Sequence, residues 1–103
     1  MIEMSLVIRT MQREKERIEN MLAGYSRQLT GLPKGAIVRK TVGQNVYYYL
    51  KYRDGKKVVT DYLGKDGDKV QRIKEELMKR RHIQAMVAHL RSELALAERV
   101  LEG

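Results

Sequence analysis

The residues whose types could do chemistry lie in one stretch, where tyrosines alternate with basic side chains. Five of the six tyrosines fall between Tyr47 and Tyr62, and the chain contains no Trp, no Phe and no Cys. A tyrosine ring has an apolar face and a polar hydroxyl, so it can fill a core or meet a partner. Lys and Arg beside such rings can contact phosphates while the rings stack on bases or sugars, which is the chemistry of nucleic-acid binding.

The positive charge of the chain is concentrated in the same stretch. The formal net charge is +8, and residues 34–65 hold eight basic and two acidic residues, a local net charge of +6. A concentrated positive field of this kind attracts polyanions. The alternative interpretation is that the lysines only solvate the strands and protect their edges from aggregation.

Catalytic and metal-binding chemistry find little support in the other polar residues. His82 and His89 are seven residues apart and lack a recognised metal-ligand spacing. No serine lies in a glycine-flanked nucleophile turn, and no glycine pattern matches a phosphate-binding P-loop. Asp54 is a turn residue, and Asp61 is a strand residue that a cross-strand lysine can pair. The sequence therefore predicts a non-enzymatic protein that uses no metal and no cofactor.

The first element predicted to position this stretch is an amphipathic helix over residues 3–30. Gly31 and Pro33 follow it and predict its end. Its apolar side chains recur at steps of about three and four residues, which is helical periodicity. These side chains are Met4, Val7, Met11, Ile18, Met21 and Tyr25.

The second predicted helix covers residues 66–102 and contains neither Pro nor an interior Gly after its first turn. Its apolar seam begins at Val70 and ends at Leu101. Between Arg80 and Ile83 the seam steps by three residues where four are due. Such a step locally overwinds a coiled coil, so it predicts either a bend or a change of packing partner.

Between the helices, residues 34–65 are predicted to form three short antiparallel strands. Asp54-Gly55 is a strong hairpin signal between the second and third strands. The predicted fold class is α+β, with a long antiparallel helical hairpin of coiled-coil type and a three-stranded antiparallel β-meander inserted between its two helices. We expect residues 1–103 to form a single domain. The predicted strands are Ala36–Val42, Val46–Arg53 and Lys57–Leu63.

Alternate side chains of the middle strand point to opposite faces of the sheet. The face predicted to be buried carries Val46, Tyr48, Leu50 and Tyr52. The face predicted to be exposed carries Tyr47, Tyr49, Lys51 and Arg53. A two-residue turn of Asp54 and Gly55 would add Lys56, Val58 and Thr60 to the exposed face. A three-residue turn that extends through Lys56 would instead add Lys57, Val59 and Asp61. The pattern leaves Tyr62 unassigned.

The helices predict self-association, because two long amphipathic helices in so short a chain leave apolar surface without a partner. The second helix is the longer one, and its Leu94 to Leu101 end would overhang the first. We therefore expect a homodimer formed through the helices. No transmembrane span or signal peptide is readable, and the lack of Cys fits a reducing compartment, so we expect a cytoplasmic protein without membrane contact.

The meander also resembles known sequences over about residues 32–65. The segments LPKG, YYYL, YRDG and YLGK, which begin at Leu32, Tyr47, Tyr52 and Tyr62, resemble a group of small uncharacterised proteins from bacteria, archaea and mobile elements. They are more weakly similar to the N-terminal segment of insertion-sequence transposases and to the arm-type DNA-binding domains of phage integrases. The integrase resemblance implies a sheet laid in a DNA groove, with contacts on the middle and third strands.

The leading hypothesis is a non-enzymatic nucleic-acid-binding protein, with DNA favoured over RNA, that contacts the backbone through a basic, tyrosine-rich sheet face. A second hypothesis is a phage or mobile-element module that binds a protein partner, for example an inhibitor of a nucleoprotein effector. A third is a structural coiled-coil adaptor. The predicted nucleic-acid-binding residues are Lys40, Tyr47, Tyr49, Lys51, Arg53, Lys56, Lys57 and Lys65.

Overall fold

The computed structural model describes the backbone of residues 2–103 and the side chains of residues 5–103. It confirms the α+β class and the predicted order of elements, with two helices that pack together and a three-stranded antiparallel sheet between them in the chain. The side chain of Met4, the first position of the predicted apolar seam, lies outside the described residues. Neither helix contains, in its described part, an apolar stretch long enough to cross a membrane. The elements are α1 (Ile2–Thr30), β1 (Ala36–Val42), β2 (Asn45–Asp54), β3 (Lys57–Gly64) and α2 (Asp68–Glu102).

The chain divides into two compact units, and α2 runs through both. The sheet unit comprises Leu32–Arg81, and the helical unit comprises α1 together with His82–Gly103. The division between Arg81 and His82 lies within the three-residue step of the apolar seam. Of the two predicted alternatives, a bend or a change of packing partner, the division of α2 between the units agrees with the second.

The helical unit is held by apolar side chains at helical spacing on both helices. Ile18 of α1 is buried, and the seam of α2 buries a series of side chains at steps of three and four residues. Side chains at such steps lie on one face of a helix, so each helix buries one stripe and leaves its charged residues in solvent. The buried positions of α2 in this unit are Ile83, Val87, Leu90 and Ala97.

The sheet unit is an antiparallel meander with strand order β1-β2-β3. Each turn contains two residues and begins with a glycine at positive φ, Gly43 and Gly55, both at 62°. Glycine at the first central position with positive φ is the pattern of a type II′ hairpin, whose twist matches that of the flanking strands. The loop between β2 and β3 is therefore Gly55-Lys56, with Asp54 paired to Lys57.

The core of the sheet unit lies on one side of the sheet. Val70 of α2 is completely buried, and Leu50 of β2 and Leu77 of α2 are less than one tenth exposed. The ammonium of Lys74 on α2 lies 5.5 Å from the centre of the Tyr48 ring, which is on the Leu50 side of β2. The side with Leu50, Tyr48 and Tyr52, called the inner face below, therefore packs against the first part of α2.

Candidate nucleic-acid interface

The opposite side of the sheet, called the outer face below, is assembled from all three strands by their register. Directly paired residues of an antiparallel sheet project to the same side. Tyr49 pairs with Val38 of β1 and with Tyr62 of β3. By the same alternation, the outer face consists of Ala36, Val38, Lys40, Val42, Asn45, Tyr47, Tyr49, Lys51, Arg53, Val58, Thr60 and Tyr62.

Three tyrosine rings form a cluster on the outer face. The centre of the Tyr62 ring lies 5.3 Å from that of Tyr49 and 6.2 Å from that of Tyr47, and the ring planes are tilted by 56° and 49°. These distances are those of favourable aromatic pairs. Tyr47 and Tyr49 are half-buried by the arrangement, whereas Tyr62 remains 55 % exposed. Tyr62 is thus the most solvent-exposed ring of the cluster.

Lys65 is brought to this cluster by an irregularity at the end of β3. Tyr49 pairs with Tyr62, but the next residue of β2, Tyr48, pairs with Gly64, so Leu63 is the extra residue of a β-bulge. The Lys65 ammonium lies 6.0 Å from the centre of the Tyr47 ring and donates a hydrogen bond of 3.1 Å to Asn45 Oδ1. Both contacts hold the charge of Lys65 on the outer face.

Further cations surround the rings. Lys40 pairs with Tyr47 from the β1 side, and Lys51 lies between Ala36 and Thr60 across the three strands. Both are exposed, as is Arg53 nearer the hairpin end of β2. A shallow depression of about 300 Å³ runs over this part of the sheet. Its lining residues are Val38, Arg39, Lys40, Tyr49, Lys51 and Thr60.

The two acidic residues of the strands lie on the other side of the sheet. Asp61 pairs with Leu50, and Asp54 is two residues from Tyr52 on the same side of β2. The pKa of Tyr52 is raised, first by partial burial of the phenol and then by the negative charges of Asp61 and Asp54. No carboxylate is therefore present among the outer-face residues.

The structure brings six of the eight predicted binding residues to one surface and separates the other two from it. Lys56 lies in the turn between β2 and β3, and Lys57 pairs with Asp54 on the inner side of the hairpin. Of the residues whose face depended on turn length, Val58 and Thr60 share the outer face, while Val59 and Asp61 do not. The six residues on the outer surface are Lys40, Tyr47, Tyr49, Lys51, Arg53 and Lys65.

Sequence reasoning missed Tyr62, the most exposed ring of the cluster. Its face depends on the pairing of β3, and a one-residue change of register would move it to the other side. The signal that could have found it is Asp54-Gly55 followed by Lys56, if read as a strand end and a Gly-X type II′ turn.

The described residues offer no metal site. None of their His, Asp and Glu side chains forms a group of three or more that could hold an ion. Two lysines lie near rings of the inner face: the Lys34 ammonium is 6.0 Å from the centre of the Tyr52 ring, and the Lys74 ammonium is 5.5 Å from the centre of the Tyr48 ring. The outer face thus has exposed rings and cations that could contact a ligand, but it has no group of side chains that could bind a metal.

Comparison with known proteins gives a family but no function. No curated protein and no solved structure matches the chain. A family model described as a domain of unknown function, DUF6788, matches residues 7–72, which include the three strands and most of α1. Because this match covers more than half of the sequence, the chain belongs to the DUF6788 family.

Proposed function

We propose that this chain is a non-enzymatic nucleic-acid-binding protein of the cytoplasm, that its ligand is DNA, and that the outer face contacts the DNA backbone. The observation that carries the proposal is the combination found on this face: a tyrosine cluster, surrounding cations and no carboxylate. A surface of cations alone could be a solvated edge. Exposed rings at its centre favour a ligand that has both phosphates and aromatic bases.

Electrostatics supports a polyanion as the ligand. Lys40, Lys51, Arg53 and Lys65 project from the outer face, and the acids that could neutralise them lie on the inner face. Each phosphate that such a cation contacts releases condensed counterions, which makes binding strongly dependent on salt. Lysine contacts to phosphate carry no sequence information, so we expect only modest sequence preference.

The helical unit supports a homodimer as the assembled form. A groove of about 310 Å³ on this unit is lined mainly by apolar side chains, among them Met11, Ile18 and Ala97. Two further lining residues, Leu96 and Val100, are 61 % and 47 % exposed. We propose that a second copy covers these residues, because burying apolar side chains from water is favourable.

Light scattering at micromolar concentration tests the dimer. We expect the wild-type chain to have twice its monomer mass, and Leu96→Glu with Val100→Glu to have the monomer mass. The matched control is Arg91→Glu, an exposed residue of the same helix that does not line the groove. A monomeric wild-type protein would refute the dimer without affecting the proposed DNA contact.

A salt series tests the nucleic-acid proposal. Fluorescence anisotropy with labelled duplex DNA of random sequence should give a plot of log affinity against log salt with a slope steeper than about −3, as expected for four or more phosphate contacts. Absence of binding to both duplex and single-stranded DNA at the lowest salt, about 50 mM, would refute the proposal.

Charge removal locates the contact. Lys51→Ala with Arg53→Ala should make the salt slope shallower by about two, because two phosphate contacts are lost. Lys79→Ala with Arg81→Ala removes the same charge from two exposed positions of α2 and should leave the slope unchanged. The reverse result would assign the contact to α2 and contradict the assignment to the outer face.

A further inference from the structure

We propose that the ligand of the outer face is an unpaired DNA strand, and that Tyr62 is the platform on which one of its bases stacks. This inference rests on the proposed function and specifies its substrate. It comes from the geometry of the tyrosine cluster rather than from the charges, since cations serve single strands and duplexes alike.

The first argument is the support that the Tyr62 ring receives. Tyr47 and Tyr49 contact it from the neighbouring strand with ring centres 6.2 Å and 5.3 Å away, and yet 55 % of Tyr62 is exposed. A ring held by its neighbours loses little further conformational freedom when a ligand binds. Tyr62 therefore combines an accessible aromatic surface with a low entropic cost of binding.

The second argument is that the fold itself does not account for this exposed ring. The core of the sheet unit lies on the inner face, around Leu50, Val70 and Leu77. A second copy of the outer face is a poor partner for Tyr62, because it would bring Lys40, Lys51, Arg53 and Lys65 against their own counterparts with no carboxylate to pair them. The partner must supply negative charge and a flat apolar surface together.

The third argument distinguishes an unpaired strand from a duplex. In a duplex the bases are stacked on one another, so their flat surfaces are inaccessible and a protein reads only their edges. Edge reading uses Arg or Lys on guanine and Asn or Gln on adenine, and the outer face offers cations for the first but an amide only at Asn45 for the second. Asn45 is the only amide side chain in the three strands, and its oxygen already accepts the hydrogen bond from Lys65. Rings at the centre of the face suit the exposed flat surfaces of unpaired bases.

The cations are placed on both sides of the rings, as a strand that stacks its bases there requires. Lys40 approaches Tyr47 from β1, and Lys65 approaches the same ring from the end of β3. A strand whose base lies on Tyr62 would therefore meet positive charge on two sides of the neighbouring Tyr47 ring. This arrangement combines stacking with phosphate contacts, the two interactions that single-strand binding uses.

An abasic strand tests the inference without changing the protein. The wild-type chain is titrated into oligothymidylate of about 16 nucleotides, the abasic strand of equal length and charge, and the matched duplex. We expect oligothymidylate to bind about tenfold more tightly than the abasic strand, since stacking on one base is lost. Equal affinities for these two strands, or tighter binding of the duplex, would overturn the inference while leaving the proposed function intact. Failure of all three to bind would refute the proposed function itself.

Variants of Tyr62 test the assigned residue. Tyr62→Ala should weaken binding to oligothymidylate about tenfold and leave binding to the abasic strand unchanged. Tyr62→Phe keeps the ring and should bind both strands as the wild type does. Val58→Ala is the matched control, because Val58 is similarly exposed on the same strand and face but has no ring. Equal losses on both strands for Tyr62→Ala would overturn the stacking role.

Intrinsic fluorescence gives a second readout that needs no variant. The chain has six tyrosines and no tryptophan, so its emission comes from tyrosine alone. Stacking of a base on Tyr62 should quench part of this emission with oligothymidylate and not with the abasic strand. The same fluorescence change with both strands would contradict stacking, even if Tyr62→Ala failed to fold.

Discussion

The two faces of the sheet use the same residue types for different purposes. On the inner face, Tyr48 and Tyr52 flank the buried Leu50 and pack in the core of the sheet unit. On the outer face, Tyr47 and Tyr49 support an exposed third ring. These residues alternate along one strand, so a displacement of a single position separates an inner-face tyrosine from an outer-face one. Residue type alone therefore does not identify a binding surface.

Contacts between lysines and tyrosine rings do not distinguish the two faces either. A lysine lies near a tyrosine ring on both faces, with Lys74 5.5 Å from Tyr48 and Lys65 6.0 Å from Tyr47. Cation and ring attract each other in either environment. The faces differ in their other neighbours, because the acids of the strands lie only on the inner face. Exposed rings without nearby carboxylates distinguish the outer face.

The largest expected effect is a difference in stability between variants of two adjacent residues of β2. Leu50→Ala removes a side chain that is 7 % exposed and should lower the free energy of unfolding by about 2–5 kcal/mol. Lys51→Ala changes the next residue, which faces solvent on the other side, and should leave stability unchanged. Urea unfolding followed by circular dichroism measures both. Similar losses for the two variants would contradict the assignment of core and surface.

A smaller loss is expected at Gly35, which lies against the backbone of β2. Gly35 has φ at +105°, and a Cβ there would collide with the Lys51 carbonyl oxygen and lie 2.7 Å from the Tyr52 Cβ. Gly35→Ala should cost about 1–3 kcal/mol from backbone strain alone. Gly24→Ala, inside α1 and with space for a methyl group, should instead stabilise by about 0.5–1 kcal/mol. Thermal unfolding compares the two, and a stable Gly35→Ala variant would contradict the close approach.

Charge reversal compares the faces in binding. Lys51→Glu places a negative charge on the outer face and should weaken DNA binding at low salt about tenfold, with a salt slope shallower by at least about one. Lys57→Glu makes the same charge change on the opposite face and should have a clearly smaller effect, because its charge is farther from the bound phosphates. Equal effects in anisotropy titrations would indicate attraction by net charge rather than by the outer face.

The smallest effect concerns the pH dependence of stability on the inner face. The raised pKa of Tyr52 means that its phenol loses a proton less readily in the folded chain than in the unfolded chain. Its stabilising contribution is therefore complete below the unfolded pKa of about 10 and is lost as the pH rises through the folded pKa. The stability advantage of the wild type over Tyr52→Phe should shrink above about pH 10.

Unfolding measured at a series of pH values checks this difference. Asp61→Asn should remove only part of the dependence, since burial, the larger cause of the raised pKa, remains. A constant difference between wild type and Tyr52→Phe across this range would refute the linkage.

The order of elements was predictable because its signals are local. Apolar steps of three and four residues predict α1 and α2, and Asp54-Gly55 predicts the hairpin. The seam irregularity after Arg80 also predicted where α2 changes its packing partner. The half-buried Arg80 donates a hydrogen bond of 3.2 Å to the carbonyl oxygen of Leu32, a long-range contact that no local pattern could predict.

The composition of the outer face was predictable only for the middle strand. Within β2, the alternation of side chains decides which residues share a face, so Tyr47 and Tyr49 could be assigned to the same face. The third strand depends on the exact turn, and the Gly55-Lys56 loop decides that Val58, Thr60 and Tyr62 join the outer face and Lys57 does not. Pairing between strands is a non-local property, so a sequence pattern leaves it open.

The β-bulge at Leu63 acts as a phase shift in the strand. Tyr62 and Lys65 are three positions apart, and in a regular strand an odd spacing sends two side chains to opposite sides. Because Leu63 is left out of the pairing, Lys65 returns to the side of the sheet that carries Tyr62, and the ring and the ammonium reach the same surface. Regular pairing of the same sequence without the bulge would keep every charge and every tyrosine of the chain, yet it would turn Lys65 towards the acidic side. The composition of the outer face is thus specified by how its strands pair as much as by the identity of their residues.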